Sequence, residues 1–298
     1  MQPLFSVVIP SFKRPVQLRK CLHALARQRL PRDEFEVIVT DDGAFLRSRE
    51  WQAEFRDGLG LDLTVLSQPR AGPARARNRA VLCARGDLLA FTDDDCEPAE
   101  EWLASLKPFL RAHPQCLVGG HVVNALPRNP CSTASQLLVD FLYSFYTANG
   151  VPRFFTSNNF ALSRRGFESI GGFSQSFPLT GEDREFCARW ASSGRPVQYL
   201  PEAVVFHAHA LTPFGFVRQH FRYGRSAWTF HRVCRRHGWL SARLEPPIFY
   251  FRLVSYPLRN GGGDWFTRLQ QSGLFAVSQA ANAAGFLCEV LGGPFEPG

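Results

Sequence analysis

Over the first 110 residues, short apolar runs alternate with stretches whose apolar positions recur every three or four residues. The runs at 5–10, 35–40, 61–66 and 88–92 read as buried strands. Between them, Pro15 opens an amphipathic helix with Leu18, Cys21, Leu22 and Leu25 on one face. A weaker helical pattern covers 46–56, and Ala71, Gly72 and Pro73 open a small-residue helix reaching about Ala84. This alternation predicts an α/β protein with a parallel, doubly wound sheet and right-handed crossovers. Ligands in such sheets bind beyond the carboxyl ends of the strands. Three polar motifs fall at such ends: Pro10 with Ser11, Asp41 and Asp42 with Gly43, and Asp93, Asp94 and Asp95.

The later chain is patterned differently. A helix is expected over 98–112, with Pro98 in its first turn, then a strand over 116–123, a helix over 131–147 and a loop over 148–153. A strand interrupted by polar residues follows at 154–162, and a short helix opens at Ser163 and ends at Gly171 and Gly172. Thr180 opens the next helix, to about Ser193, before short strands at 197–200 and 204–206. Residues 203–244 hold no Asp or Glu but seven Arg and five His, with aromatic side chains interleaved. That composition fits an interfacial helix on an anionic membrane, a groove for an acidic acceptor, or a helix that packs its aromatics inward. Gly261, Gly262 and Gly263 mark a break before a final apolar helix over 272–291. No uninterrupted run of 18 apolar residues occurs, so no membrane-spanning helix is expected. The chain enters a strand at once, so no secretory signal is expected either.

Charge narrows the partners. A net charge of +8 and a pI near 9.3 favour nucleotide phosphates, anionic lipid or nucleic acid. No recognised nucleic-acid motif accompanies the charge, so nucleic acid is not an expected partner. Eight cysteines without a Cys-x-x-Cys pair argue against zinc and for a reducing cytosol. Three adjacent carboxylates after a buried strand repel one another. They read either as a solvated acidic turn or as a site for Mg²⁺ or Mn²⁺ bridging to a phosphate.

Taken in order, the motifs resemble those of a family 2 glycosyltransferase. They are Ser6 through Ser11, Asp41-Asp42-Gly43, Gly72 through Arg77 and Asn78, Thr92 through Asp95, Gly171-Gly172-Phe173 and Gly181-Glu182-Asp183. The resemblance covers roughly residues 4–210 and implies the GT-A fold, a Rossmann-like nucleotide-binding domain with a mostly parallel central sheet. On that reading, 1–210 is the catalytic domain, nucleotide-binding to about 115 and acceptor-binding over 116–210, and 211–298 is a basic, aromatic-rich helical extension. The implied reaction moves a sugar, with inversion, from a nucleotide sugar to a glycan or lipid-linked acceptor. UDP is the family's usual nucleotide.

The same resemblance implies roles. Pro10 and Ser11 line the nucleotide pocket, and Asp42 accepts a hydrogen bond from the base. Arg77 and Asn78 contact nucleotide or diphosphate, with Arg75 and Arg79 as rivals. Asp95 and Asp93 hold Mn²⁺ or Mg²⁺, while Asp94 reaches the ribose or shares the metal. His207 is a further metal ligand, with His209 competing. Asp183 is the general base, kept ionised by the helix N-terminus. Asn158 and Asn159 sit near the donor sugar or the acceptor, and Gly172, Glu182, Arg222 and Tyr223 face the acceptor. Ala44, Ser174 and Tyr223 depart from the family's usual Ser or Thr, acid and Trp. The loop from Ser11 to Pro15 lacks the glycines of a nucleotidyltransferase. A non-catalytic nucleotide-sugar-binding scaffold is the alternative, against which the intact acids speak. A cytoplasmic enzyme of surface-glycan synthesis, touching the inner face of the plasma membrane, is the expected setting.

Overall fold

The computed structural model describes residues 2–46, 54–147, 154–177, 180–239 and 245–292. The helix expected over 46–56 falls mostly outside the described residues, as does the loop at 148–153. The chain forms two compact units. One comprises Met1–Val123, Val151–Pro178 and Glu182–Ala208; the other comprises Asn124–Gly150, Leu179–Gly181 and His209–Gly298.

The first unit is built on eight strands: β1 (Phe5–Ser11), β2 (Phe35–Asp42), β3 (Leu63–Gln68), β4 (Leu88–Phe91), β5 (Cys96–Pro98), β6 (Leu117–Asn124), β7 (Phe160–Ser163) and β8 (Val197–His207). They lie in the order β3-β2-β1-β4-β7-β6-β8-β5. β3, β2, β1 and β4 are parallel, while β7 runs antiparallel to both β4 and β6. Strands covered on both faces read as continuous apolar runs. β2 is buried at all eight positions. Its one interior charge, Glu36, accepts from Ser6 Oγ and from the backbone amide and guanidinium of Arg85. Helices α1 (Pro15–Leu25), α2 (Pro73–Leu82) and α3 (Trp102–Ala112) belong to this unit. After α4 (Pro130–Thr147), which belongs to the second unit, come α5 (Arg164–Ser169) and α6 (Glu182–Ser192) of the first. Leu18, Leu22 and Leu25 of α1 and Trp102, Leu103 and Leu106 of α3 join Val7, Val37 and Ala90 of the sheet in one core.

Three boundaries differ from the pattern reading. Pro98 lies in β5 opposite Val205, so α3 starts at Trp102. Of the stretch 154–162, only residues from Phe160 pair as strand: Asn158 sits in a turn, its side chain accepting from Thr156, and the Asn159 side chain donates to the Ala203 carbonyl. The two strands expected over 197–206 are one strand, β8, that carries Pro201 within it.

The second unit joins α4 to α7 (Pro213–His237), α8 (Pro247–Asn260) and α9 (Trp265–Gly292). Phe141, Phe216, Phe249, Leu253 and Phe275 form its core. Thr212 caps α7, its hydroxyl accepting from the Gly215 amide, and Gly238 ends the helix at φ +66°. That φ lies in the left-handed region where glycine is favoured. α7 and α9 touch through backbone: a Cβ on Gly224 would lie 1.9 Å from the Asn282 carbonyl oxygen, and one on Gly285 would lie 1.9 Å from that of Phe221. Arg225 Nε donates to Glu289 Oε2 across the same pair at 2.6 Å. α9 starts at Trp265, earlier than its apolar pattern suggested, and an 18-residue window of it has mean hydropathy 1.4. By length and composition it is long and apolar enough to cross a membrane. A search for an uninterrupted apolar run does not bring this helix out, because Ser278, Gln279, Asn282 and Glu289 interrupt it. No disulfide joins the eight cysteines; Cys83 and Cys288 are exposed and the other six buried.

Candidate active site

Strand order assembles the site. β1 pairs with β2 on one side and β4 on the other, so three strand ends open together. Backbone in the left-handed region marks the loops there, with Lys13 at φ +56° and Ala44 at φ +59°. Such conformations are uncommon for residues other than glycine and concentrate at functional sites.

At the end of β2, Asp42 is buried and ordered by three donors. Gln68 Nε2 and the Ala71 amide reach Oδ1 at 2.8 and 2.7 Å, and the Gly72 amide reaches Oδ2 at 2.8 Å. The carboxylate thus pins the loop between β3 and α2, and a carboxylate retains lone pairs beyond three bonds. Pro10 lies within β1, and Ser11 at its end donates its hydroxyl to Asp94 Oδ2 at 2.9 Å.

The three acids after β4 separate into distinct environments. Asp94 is buried, and desolvation pushes its carboxyl up to about 7 against the opposing pull of Arg14 and Ser11. Arg14 Nη1 also reaches Asp95 Oδ2 at 2.6 Å, so one guanidinium spans Asp94 and Asp95. Arg14 escaped the sequence reading. The signal available was a cation just past β1, and only the adjacency of β1 and β4 gives it meaning. Asp93 is turned elsewhere: its Oδ1 accepts from Arg77 Nη2 at 2.6 Å.

Arg77 is the buried hinge of the arrangement. Its other nitrogen, Nη1, donates to Glu182 Oε1 at 2.8 Å, and its guanidinium carbon sits 5.5 Å from the centroid of the Phe173 ring. One side chain from α2 thereby ties the end of β4 to the first turn of α6. Glu182, expected toward an acceptor, is buried on Arg77 instead. Its neighbour Asp183 accepts from the Arg184 amide at 2.7 Å. Burial raises the Asp183 carboxyl, and the Arg184 amide and Arg77 only partly oppose it. The helix N-terminus was expected to keep this group a weak base; desolvation outweighs it, and a raised carboxylate is the stronger base.

His207 comes to the acids through strand register, since β5 pairs antiparallel with β8 and sets Cys96 opposite His207. His207 Nε2 lies 3.4 Å from Asp95 Oδ1. Burial would lower the imidazole, but Asp95 outweighs burial and the net direction is up. Asp95, Cys96 and His207 form a group whose ligand atoms lie within 4.8 Å of one another. Carboxylate and imidazole are donors that suit Mn²⁺ or Mg²⁺. Burial holds the Cys96 thiol well above its ordinary value, in the protonated form that does not ligate metals. Asp95 and His207 therefore fit a divalent cation. Asp93 and His209 stand outside that group.

The remaining expected residues are placed as follows. Asn78 clamps Phe173, accepting from its amide at 2.9 Å and donating to its carbonyl at 2.8 Å. Gly172 has φ +69°, and a Cβ there would meet Asn78 Oδ1 at 2.8 Å, so glycine is required by both backbone and packing. Asn158 accepts from Thr156, and Asn159 is held by Trp102, His121 and Ala203 in the interior. Arg222 and Tyr223 lie on α7 in the second unit, where Gln219 donates to the Tyr223 hydroxyl at 2.9 Å.

Acids, two arginines and a histidine thus gather at the strand ends of an α/β fold, where ligands of such sheets bind. The profile of the family described as Glycosyl transferase family 2 matches residues 6–171, and that of Glycosyl transferase family group 2 matches 94–286. The chain belongs to glycosyl transferase family 2 and is a glycosyltransferase. Glycosyltransferase AglE of Haloferax volcanii is 26% identical over 244 residues, 78% of this chain and 77% of that protein. The poly(ribitol-phosphate) beta-N-acetylglucosaminyltransferase TarS of Staphylococcus aureus is 31% identical over 109 residues, and this chain spans only 19% of its length. Among solved structures, mannosyltransferase PcManGT of Pyrobaculum calidifontis, in complex with GDP-Man and Mn²⁺, superposes with a TM-score of 0.61 at 20% identity, over 98% of this chain and 77% of that one. The fold is the GT-A arrangement that the motifs implied.

Proposed function

We propose that the chain moves a sugar, with inversion at the anomeric carbon, from a nucleotide sugar to a hydroxyl of a glycan or lipid-linked acceptor. The observation that carries this reading is the Arg77 bridge, which holds Asp93 at 2.6 Å and Glu182 at 2.8 Å and so brings Asp183 beside the acid triplet. The nucleotide sugar in PcManGT, and the UDP-GlcNAc bound to S. aureus TarS 1-349 (TM-score 0.53), support the donor class. UDP is the nucleotide we favour.

Pro10, Ser11 and Asp42 at the ends of β1 and β2 bind the nucleoside, and Arg77, Asn78 and Asp94 order the floor beneath the diphosphate. Asp183 takes the acceptor hydroxyl proton as that oxygen attacks the anomeric carbon. The bond from that carbon to the diphosphate oxygen breaks, and its electron pair leaves with the nucleotide. Burial makes Asp183 more basic than an ordinary carboxylate. Asp95 and His207, with Asp93 close by in sequence, would hold Mn²⁺ or Mg²⁺. The cation would supply Lewis-acid neutralisation of the leaving diphosphate. Within the first unit, Asn158, Gly172 and Glu182 remain our acceptor-side assignments, Gly172 and Glu182 acting by shaping rather than by contact. Eight cysteines without a disulfide, six of them buried, support a reducing, cytoplasmic setting.

Asp183→Asn tests the base. It should bind UDP or GDP as the wild type does and lose roughly 10³-fold in transfer rate. Transfer undiminished by the substitution would remove Asp183 from that role. A folded wild type that binds a nucleoside diphosphate but transfers no sugar would favour the scaffold reading, and one that binds none would overturn the donor class.

A further inference from the structure

The last helix is polar on its inside and apolar on its outside. Gln271, Ser272, Ser278 and Glu289 are buried, at the same helical spacing as Phe275 and Gly285. The opposite stripe is Phe266, Leu269, Val277, Leu287 and Leu291, all exposed, with Leu291 at 83% and Phe266 at 73%. Ala276, Ala280 and Ala284 fill the same face. Its charged residues are only two: Glu289 is buried on Arg225, and partly buried Arg268 donates to the Leu258 carbonyl. The outer stripe is therefore uncharged and, apart from exposed Gln270 near its start, apolar along a helix of 28 residues, ~42 Å long.

A helix packed in water shows the reverse polarity. Inward polar groups, an outward apolar band and close backbone contact at small residues are what a helix adopts when its outer solvent is hydrocarbon. Here the contact is at Gly224 and Gly285. The neighbouring helix α7 carries Arg218, Arg222, Arg235 and Arg236 exposed, with no acid anywhere in 213–237. Two copies joined through α9 would bring two such arginine rows together, whereas anionic headgroups would neutralise one. We propose that the outer face of α9 is a membrane-contacting surface, embedded in the apolar margin of an anionic lipid leaflet. Trp265 sits at its start as an interfacial anchor. This inference does not depend on donor or acceptor chemistry.

The test uses the full chain and vesicles of phosphatidylcholine with phosphatidylglycerol, at low salt. The wild type should float with them and partition weakly to phosphatidylcholine alone. The double variant Val277→Glu/Leu287→Glu, at exposed positions, should bind about ten-fold more weakly or worse. Its melting temperature and nucleoside-diphosphate binding should be unchanged, which separates this surface from the site. A second measurement needs no charged variant: brominated lipid should quench wild-type tryptophan emission more than that of Trp265→Phe. Wild type that stays off anionic vesicles, or a double variant that floats equally well, overturns the proposal. A dimer in sedimentation that the double variant splits, without flotation, assigns the face to a second copy and also overturns it.

Discussion

Arg77 shows how much rests on one buried side chain. It neutralises Glu182, which is itself buried, and Asp93, which is partly exposed. Removing one partner of a buried ion pair leaves the other charge unpaired and costs about 3–5 kcal/mol. Arg77→Met should therefore lower stability by that order in a denaturant titration, and Arg77→Met/Glu182→Gln should recover part of the loss. Sequence pointed to Arg77 among three nearby arginines but assigned it to the diphosphate. Its partner Glu182 lies 105 positions away, a distance no local pattern bridges. Arg14 presents a second consequence. Its guanidinium holds Asp95 Oδ2 at 2.6 Å, one of the oxygens a cation would need. Arg14→Gln should raise Mn²⁺ affinity several-fold, up to about ten-fold, in calorimetric titration without nucleotide, since the pair is partly solvent-screened. Unchanged affinity would show that Arg14 does not compete for Asp95.

At the scale of the element, α7 carries a titratable group that its packing disfavours. His220 is 1% exposed, lies 4.3 Å from the Phe216 ring, and neither ring nitrogen has a hydrogen-bond partner. Burial, with a smaller contribution from His209, lowers its imidazole to about 4. The unfolded chain then binds the proton more tightly than the folded one, between its ordinary 6.5 and about 4. Stability from this group is present above 6.5 and is lost as pH falls through that window. His220→Phe should flatten the fall in melting temperature between those values. A slope unchanged from wild type would assign it to other groups. Glycine contributes at the same scale: Gly285→Ala would press a methyl onto the Phe221 carbonyl and should cost about 1–3 kcal/mol by thermal melting. The strands of the parallel half were legible because each carries a short, mostly apolar run that ends in turn or polar residues. The turn at 154–159 was not, because its first two residues, Phe154 and Phe155, are as apolar as a strand. α9 was read short because its first turns hold Arg268, Gln270 and Gln271, polar residues that hide a helix from an apolar search.

For the whole molecule, the order β3-β2-β1-β4 turns four separate stretches into one site. Sequence predicted strand ends that meet, and the parallel pairing of β1 with β4 delivers Ser11 and Arg14 to Asp94 and Asp95. It did not predict that β5 and β8 would pair and carry His207 to Asp95, because β5 is three residues long and contains Pro98. What composition does convey at this scale is sign: a chain of net charge +8 is suited to phosphate at one site and to anionic surfaces elsewhere.

The eight cysteines divide into six buried and two exposed, and the two exposed thiols fall one in each unit, Cys83 at the end of α2 and Cys288 on α9. Exposed thiols react and buried ones do not. The wild-type chain thus already contains a pair of selective attachment points, one for each unit. A maleimide dye should modify both in solution, and anionic vesicles should shield Cys288. Paired spin labels at the same two thiols would report whether the units move against each other as a nucleotide binds, with no residue changed.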